Sequence, residues 1–216
     1  MTIKEEGIAH LKEVDGDKTA ISLTKEEFVN RMKEGVKIPS HVQIIFSDVE
    51  GSVTLETVRD MVIPVMEDME ELSDLPVSDL YDVPLGLLRR DNLRCLGKCR
   101  FHRESFPERK YWPEEPRIEP KDVRRIDLCR TMLTPEWIRV AISVLFHEYL
   151  HALGFGGHTP MFRSLEALWP DEDANGGYPR KIRSHEHRMA FSEARRETLR
   201  WLWDSQGIPF SVWKKT

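Results

Sequence analysis

The sequence predicts an α+β fold, in which a small antiparallel sheet packs against several helices. Apolar residues recur in steps of three and four over residues 55–72, which indicates an amphipathic helix. Three short segments have a β-type composition or a two-residue alternation instead: residues 42–46, 99–103 and 125–130. Short strands among longer helices favour the α+β class over a parallel α/β arrangement.

Capping and turn residues predict the other elements of the first half. Thr24-Lys-Glu-Glu27 is a capping box, so a short helix is expected from there to Gly35. Pro64 lies inside the helical pattern and should kink or restart that helix. Residues 1–23 have no regular period, and residues 104–121 are rich in Pro, Glu and Arg, which indicates a long exposed loop.

The composition is that of a soluble globular protein, because 40% of the 216 residues are hydrophobic and 32% are charged. The longest apolar run, residues 140–146, is far too short to cross a bilayer, and the N-terminus has no apolar signal segment. The three cysteines form an odd number, which argues against a disulfide framework. These features predict a cytoplasmic protein with no membrane association.

The charge is unevenly distributed along the chain. Residues 1–85 contain 8 Lys and Arg against 19 Asp and Glu, a net charge of −11, whereas residues 86–216 have a net charge of +6. A basic half can bind an anionic partner. The basic residues are interleaved with acidic ones, however, which favours two halves that face each other or are simply solvated.

A histidine motif ends the most apolar helix of the second half. Thr134-Pro-Glu136 is a strong helix start, with Thr as N-cap and Pro in the first turn. The helix is expected to run into His147-Glu-Tyr-Leu-His151 and to break at the glycines that follow. Histidines four residues apart lie on one helical face, where both imidazoles can bind one ion. Glu148, beside the first ligand, can address a water molecule at that ion.

His158 is the candidate for the third ligand that a catalytic zinc site needs. The glycine-rich turn lets the chain double back, and Thr159-Pro160 then starts a new helix as N-cap and first residue. His158 is therefore held between two helices. The alternative is a surface helix with two incidental histidines. It is disfavoured by the apolar run before the motif, the glycine break after it and the third histidine.

These motifs together resemble the SprT-like metallopeptidases, which include the Spartan proteases. The resemblance covers about residues 85–170, and it depends on four segments: Leu96-Gly-Lys-Cys-Arg-Phe101, residues 125–128, His147-Glu-Tyr-Leu-His151 and His158-Thr-Pro-Met-Phe162. It implies a zincin-like fold with an HExxH active-site helix, zinc ligands at His147, His151 and His158, and Glu148 as general base. The chain has no cysteine after Cys129, so the zinc ribbon that such proteins often carry at the C-terminus is not possible.

The resemblance divides the chain into three predicted parts. Residues 1–80 are an acidic N-terminal extension of helices and a strand, and they match no known pattern. Residues 81–170 are the zincin core. Residues 171–216 contain a C-terminal helix, over residues 181–203, and a tail that packs on the core.

The predicted function is zinc-dependent hydrolysis of peptide bonds in protein substrates. Zn²⁺ would lower the pKa of a bound water, and Glu148 would take its proton and pass it to the leaving amine. The best-known SprT-like proteins cleave proteins crosslinked to DNA, so DNA or a DNA-bound protein is a possible partner. The missing ribbon and the acidic chain leave that dependence open.

Three other interpretations stay open. A metzincin-like peptidase would share His147-Glu-x-x-His-x-x-Gly154, but its third histidine would fall at Gly157, and Met189 is a weak candidate for its Met-turn. A non-catalytic, zinc-stabilised adaptor that binds protein or DNA would lose stability equally on loss of any ligand. A hydrolase acting on a non-peptide amide would use the same site.

Five further residues could take part in the chemistry, although the ordinary interpretation of each is structural. Cys95 and Cys99 could bind a metal but lack a second pair, so core packing is favoured. His185, His187 and Tyr178 could stabilise an oxyanion, but surface positions are the simpler expectation.

Overall fold

The computed structural model describes residues 11–14, 18–38, 42–49, 53–88, 95–102, 118–133 and 137–170. Within these residues the chain is a mixed α+β structure with two three-stranded sheets and four α-helices. The strands are β1 (Leu11–Val14), β2 (Lys18–Leu23), β3 (Gln43–Phe46), β4 (Leu85–Leu87), β5 (Gly97–Phe101) and β6 (Val123–Leu128). The helices are α1 (Lys25–Lys33), α2 (Leu55–Glu67), α3 (Ile138–Ala152) and α4 (Pro160–Glu166), with short 3₁₀ turns at Glu70–Leu72, Val77–Asp82, Pro120–Asp122 and Arg130–Met132.

The first sheet has the strand order β1-β2-β3, with β1 antiparallel and β3 parallel to β2. Its β3 confirms the strand predicted at residues 42–46. Strands β1 and β2 lie within residues 1–23, where the sequence has no regular period and predicts no element. Their pairing with each other and with β3 stabilises them, and that pairing is not visible in a local pattern. Thr24 then caps α1 through the predicted capping box, in which Glu27 N–H donates to Thr24 Oγ1 at 3.1 Å.

The second sheet has the order β4-β6-β5. Strand β5 is antiparallel to β6, and Cys99 pairs with Ile126. Strand β4 is parallel to β6, so the sheet is mixed and the prediction of an antiparallel sheet is wrong in that respect. The sequence does not predict β4, because this strand has only three residues, with Gly86 at its centre, and is too short to show a period.

Helix α2 continues through Pro64 rather than breaking there, and it ends at Glu67. It was predicted to reach residue 72, where the structure has a 3₁₀ turn instead. The packing of its inner face in the core stabilises the helix despite the proline. That face is made of apolar residues that are at most 1% exposed: Val58, Met61, Val62, Ile63, Val65 and Met66.

Helix α3 lies at the centre of the described structure. It packs against α2, α4 and strands β5 and β6, and every residue except Val140 and His151 is buried. Its described part begins at Ile138, with Trp137 as an N-cap that makes no side-chain capping hydrogen bond. Thr134-Pro-Glu136 itself lies outside the described residues.

Apolar residues of α1, α2 and both sheets join those of α3 in one buried core. The predicted extension therefore packs directly on the region of the histidine motif, while the domain boundaries at residues 80 and 170 stay predictions. The C-terminal helix and the candidates His185, His187, Tyr178 and Met189 lie outside the described residues, as does most of the loop predicted at 104–121. None of the described helices is both long enough and apolar enough to span a membrane.

A buried arginine joins the extension to α3. Arg139 is 6% exposed, and its guanidinium donates to the carbonyls of Ile38 at 2.7 Å and Val42 at 2.9 Å. Replacing Arg139 with Leu removes both donors and leaves two carbonyls without them, so we expect the free energy of unfolding to fall by about 3 kcal/mol. Urea denaturation measures this loss, with Arg124→Leu on the exposed face of β6 as the control. A loss below about 0.5 kcal/mol in the Arg139 variant would show that these two hydrogen bonds contribute little to the stability of the fold.

Candidate metal centre

The three predicted histidine ligands come together at the end of α3. The ring centroids of His147 and His151 are 4.9 Å apart, and the ring of His158 lies 5.0 Å from the first and 5.2 Å from the second. One nitrogen of each ring lies within 4.8 Å of those of the other two, so the cluster could hold a metal ion. The Nε2 atoms of His147 and His158 are 3.1 Å apart. Tetrahedral ligands at zinc distance would be about 3.3 Å apart.

The turn after α3 brings His158 back to the helix. Gly154 has a φ of 99°, in the left-handed region that favours glycine, and it lies just after the helix end. The N–H of Gly154 donates to His151 O, and the N–H of Phe155 donates to Leu150 O, both at 3.1 Å. This is a Schellman motif, which reverses the chain and satisfies two terminal carbonyls. Thr159 then caps α4, accepting from Phe162 N–H at 3.2 Å as predicted.

Two of the three histidines are oriented through their Nδ1 atoms. His147 Nδ1 lies 2.6 Å from Glu166 Oε1, and His151 Nδ1 lies 2.7 Å from the carbonyl oxygen of Phe155. A metal-ligating histidine commonly donates its second ring N–H to a carboxylate or a backbone carbonyl, which fixes the tautomer and the ring angle. Both contacts leave Nε2 as the atom for the metal. The hydrogen bonds of the rings therefore fit a metal site, in addition to the proximity of the three rings.

Phe162 forms the apolar wall behind the cluster. It is fully buried, and its ring centroid lies 4.9, 4.7 and 5.1 Å from those of His147, His151 and His158. An apolar wall restricts the imidazoles to a narrow range of angles and lowers the local dielectric constant.

The electrostatics of His151 and His158 favour the neutral imidazole form that metal binding requires. Burial lowers the pKa of His151 to about 4, with a smaller contribution from the neighbouring histidines. Burial and the nearby His147 also lower the pKa of His158. Glu166 also has a lowered pKa, but for another reason. Burial raises its pKa, and the hydrogen bonds from His147 and Arg163 outweigh burial and lower the pKa below its ordinary value. Glu166 is therefore a carboxylate that can accept the His147 N–H.

Glu148 follows His147 on α3 and lies against β5. It is 5% exposed, and its Oε2 accepts a hydrogen bond from the Cys99 N–H at 2.7 Å. Burial raises the pKa of Glu148 to about 7, although the charge of His147 and the bond from Cys99 both lower it. A carboxylate with a pKa near neutrality can both accept and return a proton, which is what a general base at this position needs.

The donor set fits a catalytic type of zinc site, because such a site takes three protein ligands and leaves a position for water or substrate. Imidazole also suits copper, iron and nickel, so the identity of the metal is a prediction. The three ligands differ in exposure: His147 is buried, His151 half-buried and His158 exposed. The cluster therefore opens to the surface on the side of His158.

The other predicted ligands do not join the cluster. Among the residues that the structure describes, the three histidines form the single group that could hold a metal. Burial raises the pKa of both the Cys95 and the Cys99 thiol, which disfavours thiolate ligation. Gly157, where a metzincin would have its third histidine, is exposed in the turn, and His158 takes that place.

The sequence reasoning did not identify Glu166, the Phe155 carbonyl or the β5 backbone as parts of the site. Glu166 could have been found, because it lies four residues after Phe162 on α4 and so shares its face. The β5 contact joins residues 49 positions apart, and no local signal reports it.

Glu166 is expected to stabilise the metal-bound state through His147. We expect Glu166→Ala to weaken zinc binding about 10- to 100-fold, because the His147 ring loses the acceptor that orients it. Isothermal titration calorimetry of the metal-free protein measures the affinity. Ser164→Ala, on the exposed face of α4, is the control, and equal affinities in the two variants would contradict the role of Glu166.

No protein-family model matches the chain, and comparisons with curated proteins and with solved structures find no match either. The functional conclusion therefore depends on the geometry and chemistry of the site.

Proposed function

We propose that the protein is a zinc-dependent peptidase of the HExxH type that hydrolyses peptide bonds in protein substrates. The observation that supports this most is the convergence of three imidazoles, with a buried carboxylate, Glu148, directly after His147 on α3. A purely structural zinc site has no use for a buried carboxylate at that position. The resemblance of the sequence to the SprT-like metallopeptidases supports the same proposal.

His147, His151 and His158 would hold the metal through their Nε2 atoms. Zinc in such a site lowers the pKa of water and polarises a carbonyl group. Glu148 would accept the proton of the attacking water at its carboxylate and transfer it to the nitrogen of the leaving amine. Burial raises the pKa of Glu148 in the metal-free chain, and the positive charge of a bound metal would lower it again, toward the carboxylate form that accepts a proton. Phe162 and Glu166 would keep the imidazoles in place during the reaction.

The proposed substrate is a protein that is cleaved in the cytoplasm. DNA or a DNA-bound protein is a possible partner. The open side of the cluster at His158 gives a polypeptide access to it.

The test is cleavage of unstructured protein and of fluorogenic peptides by the zinc-loaded full chain, with and without single-stranded DNA. The proposal predicts new peptide termini, identified by mass spectrometry, that form only with the metal present. Zinc binding with no cleavage of any protein or peptide, with or without DNA, would contradict peptidase function and favour the adaptor or the non-peptide hydrolase.

A further inference from the structure

Strand β5 passes directly over the proposed general base. Among the described strands it lies at the edge of its sheet, so one side of its backbone pairs with none of them. On that side the Cys99 N–H donates to Glu148 Oε2 at 2.7 Å. A backbone donor has no rotamer freedom of its own, so this bond fixes the carboxylate relative to the sheet as well as to α3.

Gly97 provides the space in which Glu148 lies. A Cβ atom at this position would lie 2.6 Å from Glu148 Oε1, 2.8 Å from Glu148 Cγ and 2.5 Å from Val144 Cγ1. Carbon atoms do not approach that closely, so any side chain at residue 97 forces a movement. The φ of Gly97 lies outside the left-handed region. A glycine is therefore needed here for close approach and not for backbone conformation.

We propose that Gly97 is a positioning residue for the reaction, acting through Glu148. The absent side chain of Gly97 and the N–H of Cys99 form a backbone cradle that holds the Glu148 carboxylate against β5. This inference rests on the proposed function for its catalytic meaning. The cradle itself is a structural statement that can be tested in the metal-free protein.

An alanine at position 97 should therefore separate catalysis from metal binding. The three atoms nearest to the added methyl group belong to Glu148 and Val144. The side-chain torsions of Glu148 are softer than the backbone of α3, so the carboxylate is the group that moves. We expect kcat to fall about 100-fold, since a displacement of about 1 Å at a reacting group has that effect. KM and zinc affinity should stay within about twofold of the wild-type values.

Two further variants separate positioning from packing. Gly97→Ala combined with Val144→Ala removes the clash with Val144 Cγ1 and keeps the clash with Glu148. It should regain stability while kcat stays low. The matched control is Gly86→Ala on β4. Its Cβ would lie 2.7 Å from Asp127 Oδ1 and 2.9 Å from the Arg125 side chain, a similar overlap in the same sheet at another site. It should destabilise the protein without the selective loss of kcat.

The readout that does not depend on activity is the backbone amide of Cys99, followed by ¹H–¹⁵N NMR of the full-length metal-free chain. A hydrogen bond to a carboxylate moves the amide proton downfield and slows its exchange with solvent. In Gly97→Ala and in the double variant the signal should move upfield and exchange at least about tenfold faster. In Gly86→Ala it should stay at the wild-type position.

Two results would overturn the inference. One is a Gly97→Ala protein with the wild-type Cys99 signal and wild-type kcat. The other is recovery of kcat and the Cys99 signal in the double variant, which would assign the effect to packing against Val144. A wild-type protein that binds zinc and cleaves nothing contradicts the proposed function alone. The amide signal of Cys99 in that protein still decides whether the cradle exists.

Discussion

Replacing Glu148 with glutamine is expected to lower kcat by about 10²- to 10⁴-fold while the protein still binds zinc. Glutamine has the same size and can fill the buried space beneath β5, where Glu148 is only 5% exposed. Its amide oxygen can still accept the Cys99 N–H, but it cannot take a proton from water at neutral pH. Steady-state cleavage of a peptide substrate measures kcat, and calorimetry measures the zinc affinity.

The matched control is Glu56→Gln on the exposed side of α2, which removes the same charge far from the cluster. It should cleave at the wild-type rate. A Glu148→Gln protein that retains more than about a third of wild-type turnover would show that another group is the general base. Loss of zinc binding in that variant would indicate a ligand role for Glu148 instead.

Removing the metal is the second change with a large expected effect. Chelation should abolish cleavage and leave a folded protein, because the core around α3 is formed by apolar side chains that do not depend on the ion. Circular dichroism should show the same helical content before and after chelation, and added zinc should restore activity. At a free zinc concentration of about 100 Kd, the metal should stabilise the protein by about 2.7 kcal/mol.

Altering the ligands one at a time distinguishes this site from a structural zinc site. His158 is exposed and His147 is buried, so alanine at position 158 should change the stability of the metal-free protein by less than about 0.5 kcal/mol. Alanine at position 147 should cost more, and either change should weaken the stabilisation by zinc. Unfolding on chelation, with equal losses for all three ligands, would support the zinc-stabilised adaptor.

The parts of the fold that follow from local chemistry could be predicted from the sequence. Thr24 and Thr159 cap α1 and α4 as predicted. Each threonine oxygen accepts a hydrogen bond from the free N–H three residues later, so the signal lies within one helical turn of sequence. The histidine cluster was predictable for a similar reason. His147 and His151 share one helical face, and Gly154 turns the chain back so that His158 reaches them.

The parts that depend on contacts between distant segments could not be predicted. Strands β1 and β2 form through pairing with each other and with β3, and β4 is too short to have a period. The backbone cradle of Glu148 is formed by Gly97 and Cys99 of β5. No residue pattern reveals that this strand lies close to Glu148 on α3.

Zinc K-edge X-ray absorption of the stoichiometrically loaded full chain tests the central claim most directly. The account predicts one zinc per chain, bound by three imidazole nitrogens at about 2.0–2.1 Å and one further light atom from solvent. In His158→Ala the number of imidazoles should fall to two. A wild-type spectrum with two imidazoles, with sulfur ligands or with four protein donors would contradict the account.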